Sequence, residues 1–441
     1  MDQHQHAHAR AHRRSAVLAA LLAVTGCGDA TSDRAADAGA DVAPDAAPDA
    51  GPVEWPNQES LANSDPWLAE HHREIRVMRP RILALNFVNA RGNDEMIADM
   101  EEIIAGIREG SRYRGYEDAA APAFLEYEIA YAIDLRDATP PPSWPFNNST
   151  LYPREDPADE YWGFDYERLF SEEFAGHYGF DLCDAVDTGL VHEVWVYGDA
   201  DVPDVGAAEV LEMKPRYDYQ GNRLDGEMDW CAGNGCFDVE DREGIPSRCT
   251  RSLRIGWVNN TRGPGCFLES LGHGFEWTGN GDSLPYLKAH FAHFGDFDLD
   301  VRFGLPFSSW YRCSIPDCLT WLDETTVQYD TGYAGEQGII FNYVPTCGNA
   351  HFAPNSRQHY DDQSAFAVQS TCKHFGLGDG PGGADASEQF RTSDFSFYNV
   401  MAPDCSGGWK IWWRQNYPGL DNPVLDTDGQ PMKNWWPFLF Y

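Results

Sequence analysis

Basic side chains are scarce in this chain: 32 Lys and Arg stand against 70 Asp and Glu, a formal charge of −38. A surface of that sign repels phosphate backbones, so no nucleic-acid partner is expected. No CxxC pair is present, which argues against a four-thiolate zinc site. HExxH is missing too, since His192-Glu193 is followed by Val194-Trp195-Val196. The Gly/Asp-rich stretch Gly376–Ser387 lacks a GK[ST] ending, so a phosphate-binding loop is not expected there. The apolar run Ala16–Val24 is far shorter than the roughly 20 residues a membrane-spanning helix needs.

That run follows a polar, arginine-bearing start and ends in Val24-Thr25-Gly26-Cys27, the layout of an export signal. The ending resembles the lipobox of bacterial lipoproteins. The resemblance implies cleavage before Cys27, a lipid on Cys27, and anchorage at the outer membrane or cell surface. From Gly28 to Pro52 the chain is mostly Ala, Asp, Gly and Pro, with aspartates at every fourth position from Asp29 to Asp49. Stacked like charges and two prolines oppose a helix. Residues 27–54 are therefore expected to be a disordered tether, and residues 55–441 a single large globular domain.

Eleven cysteines leave ten once Cys27 carries lipid. An even number in an exported chain points to about five disulfides. Cys231/Cys236 and Cys313/Cys318 are spaced for local bridges, and Cys347 and Cys372 could close the loop between them.

Arg81–Val88 has the short apolar run of a buried strand. Asn93 opens a helix with an apolar stripe through Met96, Met100, Ile103 and Ile107, closed by Gly110. Phe124–Leu135 alternates like a strand, Asp165–Tyr178 reads as a second helix, and Leu190–Gly198 and Leu253–Val258 read as further strands. Asp218–Arg248 is read as a disulfide-pinned loop. The expected class is α/β, with α+β as the variant: a mixed sheet, flanking helices and long disulfide-pinned loops.

The stretch RSLRIGWVNNTRGPGCFLESLGHGFEWTG, Arg251–Gly279, leads from a strand into a helix. Glu269, His273 and Glu276 are four and three residues apart and share one helical face. Phe267, Leu268, Leu271 and Phe275 lie mostly on the other. Two acids and an imidazole on one stripe form a metal-ligand or acid/base set, unless the stripe is simply the wet side of an amphipathic helix. Glu269 and His273 have the i,i+4 ligand spacing of zinc peptidase helices, with Ser270 where the glutamate base would stand. The order of strands and helices is similar to that of the zincin metallopeptidases. His351, in CGNAHFAPN, is the expected third metal ligand, and Glu276 the catalytic base or a group that supports the ligands from behind. Asn355, His359 and Asp361, from the same stretch, are the expected substrate contacts. Gly272 and Gly274 cost about 1 kcal/mol each inside a helix, which implies a close approach by another group.

Zinc is the expected cofactor. Calcium is a second candidate, since Asp296, Asp298 and Asp300 alternate as oxygen donors could. SRYRGY, HEVWVYG, ESLGHGFE, CGNAHFAPN with HYDD, and NWWPF together resemble a group of exported bacterial proteins of uncharacterised activity. The expected function is a surface-anchored lipoprotein with a peptidase-like, divalent-metal-dependent hydrolase site acting on a peptide or glycan. The alternative is a non-catalytic surface lipoprotein that binds glycan or protein through some of its 15 tryptophans.

Overall fold

Six strands form the central sheet of the computed structural model, which describes residues 53–60, 65–144, 147–153, 162–199, 205–206, 209–237 and 249–441. The expected signal segment, Cys27 and most of the expected tether lie outside the described residues. In chain order the sheet contains β1 (Arg81–Asn86), β2 (Glu128–Asp134), β3 (Glu193–Gly198), β4 (Val210–Tyr217), β5 (Arg223–Asp229) and β6 (Leu253–Asn259). In space they run β2-β1-β3-β6-β4-β5. The first four are parallel neighbours; β4 pairs antiparallel with β6, and β5 antiparallel with β4. The class is the expected mixed sheet with flanking helices.

Alternation along the strands divides the interior into two cores. Ile82, Ala84, Trp195 and Tyr197 face one side, with helix α1 (Asn93–Gly110) and helix α2 (Pro264–Asn280). Leu83, Leu85, Val194, Val196 and Ile255 face the other, with Phe174, Leu182 and Val186. Those three come from two short helices, Glu172–Tyr178 and Leu182–Asp187. The single helix expected over Asp165–Tyr178 is divided. A 3₁₀ turn covers Glu167–Phe170, and extended Ser171 then caps the α-helix by accepting from Phe174 N.

Two strands escaped the sequence reading. β4 and β5 form a hairpin: β5 falls within the stretch expected to be a loop, and β4, just before it, was assigned no element, because VLEMKPRY carries Glu212, Lys214 and Pro215 in positions that look unsuited to a buried strand. The charges are paired in place. Arg254 on β6 donates to Glu193 Oε1 at 2.8 Å and to Glu212 Oε2 at 3.2 Å. Lys214 Nζ donates to the Tyr441 carbonyl at 2.8 Å. All four charged side chains are buried. The folded part also begins earlier than expected, since Val53–Trp55 pairs in parallel with Ile75–Met78.

Beyond the sheet come helix α3 (Pro285–Phe294), a three-stranded antiparallel sheet and helix α4 (Gly407–Gln415). The small sheet comprises β7 (Leu319–Trp321), β8 (Thr326–Asp330) and β9 (Gln337–Asn342). Trp409, Trp412, Trp413, Trp435 and Trp436 are all buried, so these five fill the core and offer no stacking platform. Five disulfides join Cys183–Cys249, Cys231–Cys236, Cys266–Cys405, Cys313–Cys318 and Cys347–Cys372. The three pairs suggested by spacing are among them. Among the described residues no helix is long and apolar enough to cross a membrane.

Candidate metal centre

Helix α2 is fixed at its start by a distant segment. Pro264 occupies its first turn, where a missing N–H costs nothing. Asp404 Oδ1 accepts from Gly265 N at 2.9 Å, and the Cys266–Cys405 disulfide closes the junction. An anion at a helix N-terminus is stabilised by the helix dipole. Farther along, a Cβ on Gly274 would lie 3.3 Å from Val210 Cγ1 and 3.6 Å from Glu212 Oε2. Glycine therefore lets α2 lie directly on the buried charges of the sheet. Gly272 faces Ala350, Trp413 and Arg414, which brings in the loop that carries His351.

Separate contacts hold that loop. Cys347 is bridged to Cys372. Asp296 accepts from Thr346 N at 3.1 Å and from Gly348 N at 3.0 Å. From α4, the indole N–H of Trp413 donates to the Gly348 carbonyl and that of Trp409 to the Asn349 carbonyl, at 3.1 and 3.0 Å. Gly348 sits at φ +64° with no room for a Cβ, which would meet Phe352 O. Asn349 Oδ1 then accepts from His351 N at 3.1 Å and orients the residue.

Glu269, His273 and His351 meet as a result. His351 Nε2 lies 2.8 Å from Glu269 Oε1 and 3.0 Å from His273 Nε2, and His273 Nε2 is 3.4 Å from Glu269 Oε1. All three side chains are nearly buried, so the stripe is not the wet side of the helix.

Their neighbours fix the tautomers. His273 Nδ1–H donates to Glu276 Oε2 at 2.9 Å, which leaves Nε2 of the neutral ring as a lone pair. His359 Nε2–H donates to the Cys313 carbonyl at 3.1 Å, so its Nδ1 accepts from His351 Nδ1–H at 2.9 Å. Burial and then the nearby His273 depress the His359 pKa, which keeps that ring neutral. His351 Nε2 is thus a second lone pair aimed at the first, with a carboxylate oxygen beside both.

Three such donors repel one another unless a cation lies among them. One candidate is a proton. Burial pulls the His273 pKa down, but hydrogen bonds to Glu269 and Glu276 outweigh it and push it up to about 10. Burial holds His351 down at about 4 despite its bond to Glu269. For Glu269 burial works upward, and the bonds from His273 and His351 with the charge of Lys410 hold it well below the usual carboxylate range. The other candidate is a metal ion. Tetrahedral zinc with bonds of about 2.0–2.1 Å separates its ligand atoms by roughly 3.3 Å. The observed triangle of 2.8, 3.0 and 3.4 Å is of that size.

Glu276 does not stand where a base should. Its Oε2 accepts from His273 and from the Tyr311 hydroxyl at 2.8 Å, and its Oε1 accepts from Ala350 N at 2.6 Å. With both oxygens engaged and the residue buried, Glu276 orients His273 and ties the His351 loop to α2. Of the two roles expected for Glu276, these contacts favour the supporting one over the catalytic base.

The expected substrate contacts also turn inward. Asn355 is buried and donates to the Ser364 and Phe366 carbonyls and to Thr392 Oγ1. Asp361 accepts from Arg357 N at 3.0 Å and Arg357 Nε at 2.7 Å. Both shape the loop, and His359 sets the tautomer of His351. Asp296 and Asp298 are engaged by Arg302, so the alternating acids serve the loop's anchor.

Three residues around the triangle were not singled out from sequence. Tyr360 donates to Glu269 Oε1 at 2.5 Å, packs against His351 with the rings tilted at 43° and stays 46% exposed, with its backbone at φ +59°. A left-handed tyrosine is strained, and such strain gathers at functional sites. Tyr311 lies beneath His273 and His351. Lys410 is fully buried, 5.7 Å from the Tyr360 ring centre. One lysine inside the tryptophan-rich helix GGWKIWWRQ was the signal that could have found it.

No protein-family model matches the chain, and neither a curated protein nor a solved structure matches it. The site is therefore interpreted from its own chemistry.

Proposed function

We propose that the protein is a divalent-metal-dependent hydrolase of the peptidase-like kind, with Glu269, His273 and His351 as the metal ligands. The supporting observation is the convergence of two imidazole Nε2 atoms with a carboxylate oxygen, each ring's other nitrogen being engaged by its own partner. Imidazole with carboxylate suits zinc, whereas calcium takes six to eight oxygens. Three protein ligands leave a fourth position for water or substrate, as catalytic zinc sites do. When bound, the ion would supply Lewis acidity to a scissile carbonyl. Glu276 and His359 hold the ligand imidazoles, and Tyr360 donates its hydroxyl to the Glu269 carboxylate.

The address belongs to the same proposal. Five disulfides are compatible with an extracytoplasmic location. Lipid on Cys27 would hold the domain at the outer membrane or cell surface. Labelling with a fatty-acid analogue tests this: wild type should carry label and Cys27→Ser should not. Label retained in Cys27→Ser contradicts the anchor. For the metal, purified protein is equilibrated with zinc and its content measured beside Glu269→Ala and His351→Ala. Stoichiometric zinc confined to wild type supports the hydrolase; its absence from wild type favours a binding protein.

A further inference from the structure

Helix α2 is closed to solvent along almost its whole length. Between Phe267 and Gly279 every residue is buried except Trp277, which is 51% exposed. An indole left in water forgoes a large gain from burial, and the tryptophans of α4 show what this chain does with the others. Glu269, His273 and Trp277 stand at i, i+4 and i+8 of one unbroken helix, a single row along its surface. Helical side chains lean towards the N-terminus, so the Trp277 indole leans over the turn that carries His273.

At the Glu269 end of the same row stands Tyr360, 46% exposed, its hydroxyl on Glu269 Oε1 and its ring centre 4.2 Å from that of His351. Two accessible aromatic rings therefore flank the triangle, on positions of α2 about 12 Å apart along the helix axis. We propose that these rings form a platform for a glycan, and that the bond cleaved is the amide of an N-acetylated amino sugar. This rests on the metal-hydrolase reading above.

Three observations select that class. An exposed aromatic ring takes an apolar surface whose polar groups stay wet, which describes the C–H face of a sugar. An extended peptide is commonly held by an open sheet edge, but β6, the strand leading into α2, is paired with β3 on one side and β4 on the other. Cleavage of the glycosidic bond itself uses two available carboxyl groups, whereas Glu269 is a metal ligand in this reading and both Glu276 oxygens are engaged. An acyl group carried by the sugar, the counterpart of a peptide bond, fits both the platform and the triangle. In the step, the water oxygen bonds to the acetyl carbonyl carbon, the C–N bond breaks and one water proton passes to the departing nitrogen. The products are acetic acid and a free amino sugar.

The test titrates the full chain with an N-acetylglucosamine oligomer by calorimetry, with zinc and again after chelation, and follows acetate release with zinc. Wild type should bind in both states. Trp277→Ala should keep the wild-type zinc content and bind at least about tenfold more weakly, the usual scale for truncating a tryptophan anchor. Trp277→Phe, which restores a ring, should recover most of the binding. Equal binding by wild type and Trp277→Ala overturns the platform, as does a wild-type chain that binds no oligomer. Cleavage of denatured casein without acetate release from the oligomer assigns the site to peptides and overturns the glycan. A zinc-free wild type that still binds through Trp277 removes the hydrolase reading, and the deacetylation with it, but leaves the platform standing.

Discussion

The Nε2 atoms of His273 and His351 face each other at 3.0 Å, each on a ring whose other nitrogen is already engaged. That approach needs a proton or a metal ion between them. Everything around them enforces it, from the tryptophan clamps on the His351 loop to the capped start of α2.

The orienting partners should matter without touching the ion. Glu276→Gln keeps the shape of the side chain but weakens its hold on the His273 tautomer. Its zinc affinity is expected to fall about 10–100-fold, the usual cost of losing an outer-shell carboxylate. His359→Phe should have a similar effect through His351. Competition with a chromophoric chelator measures both, and wild-type affinity in both variants would contradict the tautomer assignment.

The charges under α2 make a separate prediction about stability. Arg254→Met leaves Glu193 and Glu212 buried without their shared guanidinium. Removing one partner of such a set costs about 3–5 kcal/mol. Denaturant unfolding should show the loss as a lower midpoint with little change in slope. A loss below about 1 kcal/mol would mean that water or Lys214 compensates.

Acid should unfold the protein through its buried histidines. Burial holds His72 and His192 down at about 3, against about 6.5 when unfolded. Between those values the unfolded chain binds more protons, so stability is full near neutrality and drains away as pH falls from about 6.5 towards 3. Asp65 opposes this, since burial raises it to about 7 and the folded state then holds the extra proton. Asp65→Asn should therefore steepen the fall in stability between about pH 6 and 5. Equal slopes in the two proteins would contradict this assignment of the protons.

How much of this was legible beforehand differs by residue. The i,i+4 and i,i+3 spacing placed Glu269, His273 and Glu276 on one face, and the Gly348–Pro354 bracket marked His351 as a built position. The folded chain brings Glu269, His273 and His351 within hydrogen-bonding distance of one another. The choice between the two roles of Glu276 was not legible, because spacing cannot tell a side chain that faces an open site from one whose oxygens are already taken by Tyr311 and Ala350. Strand β4 was hidden for the opposite reason: Glu212 and Lys214 look solvent-facing until Arg254 and the Tyr441 carbonyl come into place. Local helices such as α1 were plain, since their periodicity needs no distant partner.

The disulfide at the base of the His351 loop offers another handle. Cys347→Ser with Cys372→Ser removes the bridge while the Asp296 and tryptophan contacts remain. The protein should stay folded with a lower melting temperature, and zinc affinity should fall at least about tenfold as the loop loosens. Unchanged affinity would show that Asp296, Trp409 and Trp413 suffice to hold His351.

Zinc content is the most direct measurement of all. Protein refolded with its disulfides intact, equilibrated with zinc and freed of loose metal by gel filtration, should retain one ion per chain by mass spectrometry of the elements. His273→Ala and His351→Ala, each confirmed as folded by circular dichroism, should retain none. A wild-type chain that emerges without zinc, or alanine variants that keep it, would contradict the metal centre.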